Sequence, residues 1–247
     1  MRKIYLVLRS LFLWIVCGSF FFVVCSLLIL LGIFIDPRKN DRPQRWLCRN
    51  LLRLAGVEFE VRRSPGFDPR RTSFFIINHV NLFDPFVLYS AIPQFVRGWE
   101  LESHFRIPVY GWMMKRFGNV PVPDLSKPSD LKRMWKLTQA ALDDGVSLVV
   151  FPEGSRTRNG RVGPFKDGVF RVAQQLGYPI VPVSIVGSFE FNRKDSSMLR
   201  PSRIVVHLHD TIEIADLGKD DLAALRERVR RIISQPVDDA MNSPESG

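Results

Sequence analysis

One long apolar stretch dominates the N-terminal part of the chain. No charged residue occurs from Leu11 to Ile35, and about 20 consecutive apolar residues form a helix that can cross a hydrocarbon core about 30 Å thick. From Asp41 to Ala55, leucines and a tryptophan alternate with arginines, which predicts a basic amphipathic helix on a membrane surface or on the domain itself. We therefore predict a membrane anchor and amphipathic segment over residues 1–56. The anchor either spans the bilayer or enters one leaflet and returns.

Strand-like and helix-like patterns alternate through the rest of the chain. Val57–Val61 alternates apolar with acidic residues, as a half-buried strand does, and Phe74–Ile77 is apolar throughout, as a fully buried strand is. Asp84 and Pro85 predict the N-cap and first residue of a helix that ends near Ala91. The same criteria predict further helices at 109–117, 129–144, 167–176 and 222–233, and strands at 120–122, 146–151, 180–186 and 203–214.

This alternation is typical of the α/β fold class. We predict an α/β domain over residues 57–234, with a central mixed sheet covered by helices and with N-terminal membrane-associated helices. The polar composition from Gln235 onward predicts a disordered tail over residues 235–247.

Charge and cysteine content narrow the expected partners. A net charge of +10 can indicate nucleic acid, but beside an apolar segment the simpler partner is an anionic lipid surface, worth about 1 kcal/mol per nearby Lys or Arg. We therefore expect membrane lipids as partners and no nucleic acid. Basic residues are denser after the apolar run than before it, which favours an inner (cytoplasmic) membrane location with the α/β domain on the cytoplasmic side. All three cysteines, Cys17, Cys25 and Cys48, precede that domain, which excludes a disulfide framework, a cysteine zinc site and a cysteine nucleophile within it.

A histidine and an aspartate occupy the turn after the strand Phe74–Ile77. Asn78, His79 and Asp84 stand in the sequence Asn-His-Val-Asn-Leu-Phe-Asp, at a strand end where functional turns of α/β sheets usually lie. Asp84 can hold one ring nitrogen of His79 while the other takes a proton from an acceptor hydroxyl. This resembles two thirds of a serine-protease triad, with the substrate supplying the hydroxyl. By itself, the pattern also fits a structural histidine and an ordinary N-cap.

A second polar turn follows the strand predicted at 146–151. The sequence Phe-Pro-Glu-Gly-Ser-Arg-Thr-Arg at 151–158 is expected at the same sheet edge as His79. Arg156 can fork onto a phosphate or a carboxylate, Gly154 permits close backbone approach, and Glu153 can orient Arg156 or accept from a headgroup. A salt-bridged turn without a ligand fits this stretch equally well on its own. The substrate-binding candidates on the two turns are Asn78, Glu153, Gly154, Ser155 and Arg156.

Four blocks in this order resemble the glycerolipid acyltransferase family that includes the 1-acylglycerol-3-phosphate acyltransferases. They are Asn-His-x4-Asp at 78–84, Phe-Pro-Glu-Gly-Ser-Arg at 151–156, Pro-Phe-Lys-Asp-Gly-Val-Phe at 164–170 and Pro-Ile-Val-Pro-Val at 179–183. The resemblance covers roughly residues 57–187. It implies the family's fold, membrane-associated N-terminal helices, and acyl transfer from acyl-CoA or acyl-carrier protein to a lysophospholipid acceptor without a metal or other cofactor.

One block departs from the family pattern. Members that act on lysophosphatidic acid commonly carry Gly-x-x-Phe-Ile-Asp-Arg, whose arginine helps to bind the acceptor phosphate, whereas Asp124 stands at that position here. An acidic group repels a phosphate. Either other cations compensate, or the acceptor is lysophosphatidylcholine, lysophosphatidylethanolamine or a lyso-aminolipid. The compensating candidates are Lys115, Arg116, Arg158 and Lys166.

The expected mechanism is direct transfer with His79 as general base and Asp84 as its partner. An acyl-enzyme route through Ser155 is the less favoured alternative. A thioesterase that activates water with the same histidine, and a non-enzymatic membrane tether, are the competing classes. His207 and His209 have no third metal-ligand candidate nearby, so we interpret them as part of a solvated strand edge.

Overall fold

The computed structural model describes residues 2–36, 41–123, 127–215, 218 and 221–243. Within these ranges helices and strands alternate along the chain. The helices are α1 (Arg2–Phe34), α2 (Arg42–Leu54), α3 (Asp84–Ala91), α4 (Tyr110–Arg116), α5 (Pro128–Asp143), α6 (Gly168–Leu176), α7 (Ser188–Phe191) and α8 (Leu222–Asn242), with a 3-10 helix at Glu102–Arg106. The strands are β1 (Val57–Arg63), β2 (Phe74–Ile77), β3 (Val96–Leu101), β4 (Val120–Val122), β5 (Ser147–Val150), β6 (Ile180–Val186) and β7 (Ser202–Leu208).

The described strands form one seven-stranded sheet in the order β1-β7-β6-β2-β5-β3-β4. Neighbouring strands run parallel, except that β6 and β7 run antiparallel. The prediction of an α/β fold with a mixed central sheet is therefore confirmed. Because β2 lies between β5 and β6 and is parallel to both, the segments that follow Ile77, Val150 and Val186 leave the sheet at the same edge.

Alternate residues of the central strand face two separate cores. Phe75 and Ile77 pack into the core shared with α1, α2 and α3, whereas Phe74 and Ile76 pack into the core shared with α5, α6 and α8. All four side chains are fully buried, and each such burial stabilises the fold by about 1.5–3 kcal/mol. Burial on both faces explains the unbroken apolar sequence of β2 and makes it a rigid base for the turn that follows.

Helix α1 packs along the domain on one side and exposes apolar side chains on the other. Leu13 and Cys17 join the core that contains α3, and Cys25 packs beside Met113 of α4. The segment Lys3–Phe34 has a window of mean hydropathy 2.7, of which 28% is buried, so by length and composition it can cross a membrane. The helix is continuous from Arg2 to Phe34, with no break at Gly18.

Strand β3 is not predicted from the sequence. Arg97 and Gly98 interrupt its apolar pattern, and a charged residue argues against a central strand. In the structure Arg97 is buried, and its guanidinium donates to the carbonyl oxygens of Phe117 and Val96. These hydrogen bonds satisfy the buried charge and permit the strand.

The predicted disordered tail is wrong over most of its length, because α8 continues to Asn242 with Pro236 inside it. Val237 is buried, and Asp238 accepts a hydrogen bond of 2.7 Å from Arg161. These tertiary contacts hold a polar segment whose sequence shows little helical periodicity. Residues 244–247 lie outside the described residues.

His207 and His209 do not lie on a solvated edge, because β7 is placed between β1 and β6. Nε2 of His209 is 2.8 Å from Oγ of Ser184, and its ring stacks on that of His207 at 6.0 Å between centroids. Burial lowers the pKa of both histidines, that of His209 to about 4. Both are therefore neutral packing residues near pH 7.

Candidate active site

The turn from Asn78 to Asp84 is tied to the neighbouring strand β6. The side-chain amide of Asn78 donates to the carbonyl oxygen of Ile185 at 3.0 Å, and its oxygen accepts from the Ile185 N–H at 2.8 Å. This pair of bonds fixes the start of the turn. Asn78 is buried, so the structure gives it a supporting position beneath the exposed surface.

Asp84 is surrounded by hydrogen-bond donors and is completely buried. Its Oδ2 accepts from the backbone N–H groups of Val80 and Asn81, at 2.6 and 2.9 Å, and from Nδ1 of His79 at 2.9 Å. Its Oδ1 accepts from the Ser188 hydroxyl at 2.8 Å. Asp84 is therefore not an N-cap: α3 begins at Asp84 itself, and the carboxylate reaches back across the turn to the histidine.

His79 is held by its neighbours on one side and accessible on the other. The ring stacks on Phe151, with centroids 4.1 Å apart and planes inclined by 23°, and 22% of the side chain is exposed. A carboxylate only accepts hydrogen bonds, so the contact with Asp84 assigns the proton to Nδ1 and leaves Nε2 as a lone-pair base. Among the described residues, no hydrogen-bond partner of Nε2 is found. The predicted His79–Asp84 pair thus has the geometry of a general base and its orienting carboxylate.

Glu153 links the two polar turns by a hydrogen bond. Its Oε1 accepts from the His79 backbone N–H and its Oε2 from the Gly163 N–H, both at 2.8 Å. Burial raises the pKa of this carboxyl, and the two backbone donors act in the opposite direction. A further bond, from the Thr157 N–H to the His79 carbonyl oxygen at 2.8 Å, joins the same turns. Both Glu153 oxygens are thus occupied by backbone donors rather than by Arg156.

A shallow cavity of about 310 Å³ lies beside Glu153. Glu153, Ser155, Arg156 and Arg161 belong to its lining. The Arg161 guanidinium is engaged by Asp238 and Asn242, whereas no hydrogen bond or ion pair holds the Arg156 guanidinium within the described ranges. Arg156 is therefore available to an anionic ligand.

The other predicted cations have different surroundings, and none of them is among the residues that line this cavity. Lys166 is exposed, and its ammonium nitrogen lies 2.6 Å from the position that a Cβ on Gly154 would occupy. Arg158 is 75% exposed and lies 3.9 Å from Asp195. Lys115 lies on α4, which packs against α1, and no hydrogen bond or ion pair among the described residues joins it to either turn. Asp124, in the place of the expected arginine, lies outside the described residues.

Three contributors to the site are not indicated by the motifs as such: Ser188, Asn81 and the ring face of Phe151. Ser188 begins α7 immediately after β6, so the only sequence signal is a small polar residue after a buried strand. Asn81 is an unassigned position inside the Asn-His-x4-Asp block. Their roles depend on contacts between segments that the sequence does not pair, since Ser188 lies 104 residues from Asp84 and Phe151 packs on His79 from another strand end. In the part of the chain that the structure describes, no group of three His, Cys, Asp or Glu side chains could hold a metal ion.

Comparison with known proteins assigns the chain to a family. A family profile described as Acyltransferase matches residues 43–186. The chain belongs to this acyltransferase family. A 1-acyl-sn-glycerol-3-phosphate acyltransferase of Haemophilus influenzae is 28% identical over 82% of this chain and 87% of its own length. The enzyme of the same name from Cocos nucifera is 29% identical over 74% of this chain and 56% of its own length, and this chain spans about half of several other relatives.

A solved structure shares the fold. The 1-acyl-sn-glycerophosphate acyltransferase of Thermotoga maritima aligns with a TM-score of 0.77 over 98% of this chain and 99% of its own, at 20% identity. The family match includes the turns at 78–84 and 151–158 and the strand β6. The His79–Asp84 pair, Glu153 and Arg156 therefore lie within the matched region, and Ser188 lies two residues beyond it.

Proposed function

We propose that this acyltransferase moves a fatty acyl group from a thioester to the free hydroxyl of 1-acylglycerol-3-phosphate, giving phosphatidate. The observation that carries the proposal is a partly exposed His79 ring that Asp84 fixes through Nδ1. The backbone N–H of His79 donates to Glu153, which lines a cavity together with Arg156. Relatives named 1-acyl-sn-glycerol-3-phosphate acyltransferases support the choice of acceptor. A non-enzymatic tether does not need a buried carboxylate that accepts four hydrogen bonds, one of them from a histidine ring.

The reaction follows from the tautomer of His79 that pairs with Asp84, with the proton on Nδ1 and the lone pair on Nε2. Nε2 of His79 takes the hydroxyl proton of the acceptor as its oxygen attacks the thioester carbonyl carbon. The tetrahedral intermediate then expels a thiolate, which takes the proton back from Nε2. Because a thiol with a pKa near 8.5 is a good leaving group, this step needs little acid assistance. A proton-accepting base thus suffices, and Ser155 need not form an acyl-enzyme.

The acceptor phosphate is assigned to Arg156, with Lys166 as a second contact. A guanidinium can bind a phosphate with two parallel hydrogen bonds, and Lys166 stands against the backbone of Gly154 at the same turn. Under this proposal these cations compensate for the aspartate at position 124. An acceptor with a zwitterionic or amine-bearing headgroup is the alternative that Asp124 favours.

The donor is acyl-CoA or acyl-carrier protein, and the enzyme works at a membrane. A helix of membrane-spanning length and apolar character supports this location, and the acceptor is itself a membrane lipid. The excess of basic residues after α1 supports the inner membrane, with the α/β domain on the cytoplasmic side.

The test is a transfer assay with detergent-solubilised protein and labelled donors of both kinds. The acceptors are lysophosphatidic acid, lysophosphatidylcholine, lysophosphatidylethanolamine and a lyso-aminolipid, with His79→Ala as the control. We expect histidine-dependent phosphatidate from lysophosphatidic acid. Product only from another acceptor would overturn the proposed substrate, free fatty acid formed without any acceptor would indicate a thioesterase, and no reaction would leave a tether.

A further inference from the structure

Ser188 occupies a buried position directly after the strand next to the histidine turn. It follows Gly187, whose φ of +82° and close approach to the Arg203 carbonyl oxygen leave no room for a side chain. Ser188 is 1% exposed. The backbone at Gly187 therefore delivers the hydroxyl to the underside of the active-site turn, where water does not compete for it.

The hydrogen bonds around Ser188 define which way its hydroxyl points. Nδ2 of Asn81 donates to the Ser188 carbonyl oxygen and to Oγ, both at 2.7 Å. Since Oγ accepts from Asn81, its own proton is left for Oδ1 of Asp84, 2.8 Å away. Ser188 is thus oriented as a donor to Asp84 by a residue of the same turn.

Among the described residues, Ser188 is the only hydrogen-bond donor to Oδ1 of Asp84, whereas Oδ2 has three donors. A carboxylate that lost the Ser188 contact would keep an unpaired oxygen in a fully buried place, which favours rotation or displacement of the group. Rotation would misalign Oδ2 with Nδ1 of His79. The orientation of the general base therefore depends on a residue that contacts neither the ring nor the substrate.

We propose that Ser188 is a positioning residue that acts through Asp84 to hold His79 in its reactive orientation. The inference rests on the proposed function, because it gives the His79–Asp84 pair the role of general base. It assigns to the start of α7 a part in catalysis that the family motifs at 78–84 and 151–156 do not include.

The test compares Ser188→Ala with Ser184→Ala. Ser184 is an equally buried serine on β6, but its hydroxyl contacts His209 and the Ile233 carbonyl oxygen instead of Asp84. For Ser188→Ala we expect kcat to fall about 10- to 100-fold, the effect of losing one hydrogen bond to a charged group, with KM for both substrates unchanged within about twofold. Ser184→Ala should leave kcat within about twofold, and Ser188→Thr, which restores a hydroxyl donor, should recover most of the loss.

A spectroscopic measurement separates positioning from general destabilisation. The proton on Nδ1 of His79, bonded to Asp84, should give a downfield proton NMR resonance that is absent in His79→Ala. In Ser188→Ala this resonance should move upfield or broaden as the bond loosens, while in Ser184→Ala it should stay in place. An unchanged resonance and kcat in Ser188→Ala, or equal effects of both alanine variants, would overturn the proposal.

A variant that does not fold and a wild-type protein that shows no transfer each have a defined consequence for the proposal. If Ser188→Ala does not fold, Ser188→Cys takes its place, because a thiol keeps the volume but donates only weakly, and the same loss of kcat is expected. If the wild-type protein transfers no acyl group to any acceptor, the proposed function fails. In that case an unmoved His79 resonance in Ser188→Ala overturns the positioning as well, and a shifted one supports it.

Discussion

The two polar turns at the carboxyl edge of the sheet are built in opposite ways. In the turn at 78–84 the key carboxylate, Asp84, is completely buried and takes four hydrogen bonds. In the turn at 151–158 the backbone is fixed by Glu153, but the guanidinium of Arg156 has no hydrogen-bond or ion-pair partner within the described residues, and Ser155 and Arg158 are exposed. The first turn holds its histidine and aspartate side chains in place, whereas the second fixes its main chain and leaves the Arg156 guanidinium unpaired in the part of the chain that the structure describes.

This difference matches two different tasks. A general base must keep one tautomer and one orientation before the substrate arrives, and fixed donors in a water-poor site achieve this. A cation that binds a phosphate gains from remaining free until the ligand arrives, because an internal ion pair would compete with the ligand. Glu153 links the two turns through the His79 N–H, while the Gly163 N–H holds its other carboxylate oxygen.

The largest effect on kcat is expected when the general base of the first turn is removed. His79→Ala should lower kcat by about 10² to 10⁴, the usual contribution of one general base, with circular dichroism unchanged because the ring is partly exposed. His104→Ala is the matched control, since that histidine pairs with Glu100 away from both turns. Equal activity of His79→Ala and wild type in a transfer assay would exclude general-base catalysis by His79.

The next largest effect is expected at Asp84. Asp84→Asn replaces a carboxylate by an amide with one acceptor oxygen, so at least one of the four donors around it loses its partner. A lost hydrogen bond to a charged group is worth about 1.5–3 kcal/mol, which corresponds to roughly 10- to 150-fold in kcat. The free energy of unfolding in urea should fall as well. A variant with both quantities unchanged would show that the bonds around Asp84 are dispensable.

Glu153→Gln tests the link between the turns. An amide offers one oxygen and one NH₂ group, so either the His79 or the Gly163 N–H must lose its acceptor. We expect kcat/KM to fall about tenfold, with thermal unfolding used to confirm the fold. Glu227→Gln is the control, because it changes an exposed carboxylate and should leave kcat/KM as in wild type.

Glu153→Gln also tests how the free energy of unfolding depends on pH. Burial raises the folded-state pKa of Glu153 above the ordinary glutamate value of about 4.3, so its contribution to stability is present below that value and is lost as the pH rises through the raised pKa. Glu153→Gln does not titrate. The stability of wild type relative to Glu153→Gln should therefore be greatest near pH 4 and decline toward neutrality. Urea titrations of both proteins at several pH values test this prediction. A difference in the free energy of unfolding that stays constant with pH would contradict it.

A smaller and more selective effect is expected at Arg156. Arg156→Ala should raise KM for lysophosphatidic acid about five- to tenfold, because a partly exposed cation contributes about 1 kcal/mol to binding a phosphate, and should leave kcat nearly unchanged. Arg161→Ala is the control from the same cavity, with a guanidinium already engaged by Asp238. Equal KM changes in the two variants would remove the distinction between free and engaged cations.

The smallest effect on catalysis is expected at Gly154. Its φ is +69°, and a Cβ there would stand 2.6 Å from the Lys166 nitrogen. Gly154→Ala should lower the free energy of unfolding by about 1–2 kcal/mol and change kcat less than twofold, since the flexible end of Lys166 can move aside. Loss of activity comparable to that of His79→Ala would place Gly154 at the reacting centre instead.

The elements nearest the site are those that local pattern predicts best. The bounds of β2 and β6 agree with the predicted 74–77 and 180–186, and α3 ends at Ala91 as predicted but begins at Asp84, one residue before the predicted Pro85. Continuous apolar runs and a Pro at a helix start act over a few residues. β3 is not predicted by the same criteria, since one of the hydrogen bonds that satisfy Arg97 is accepted by Phe117, 20 positions further along the chain. The helical end of α8 depends likewise on contacts with Arg161, about 80 positions away.

The sequence by itself determined the class of fold, the apolar N-terminal helix and the candidate residues His79 and Asp84, because periodicity and spacing within a few residues carry that information. Only the tertiary structure decided that Asp84 faces back to His79 rather than capping α3, that Glu153 joins two backbones instead of orienting Arg156, and that Ser188 lies under the turn. Each of these contacts joins groups whose meeting depends on strand order and on side-chain direction. Those are properties of the packed sheet, and no local stretch of sequence encodes them.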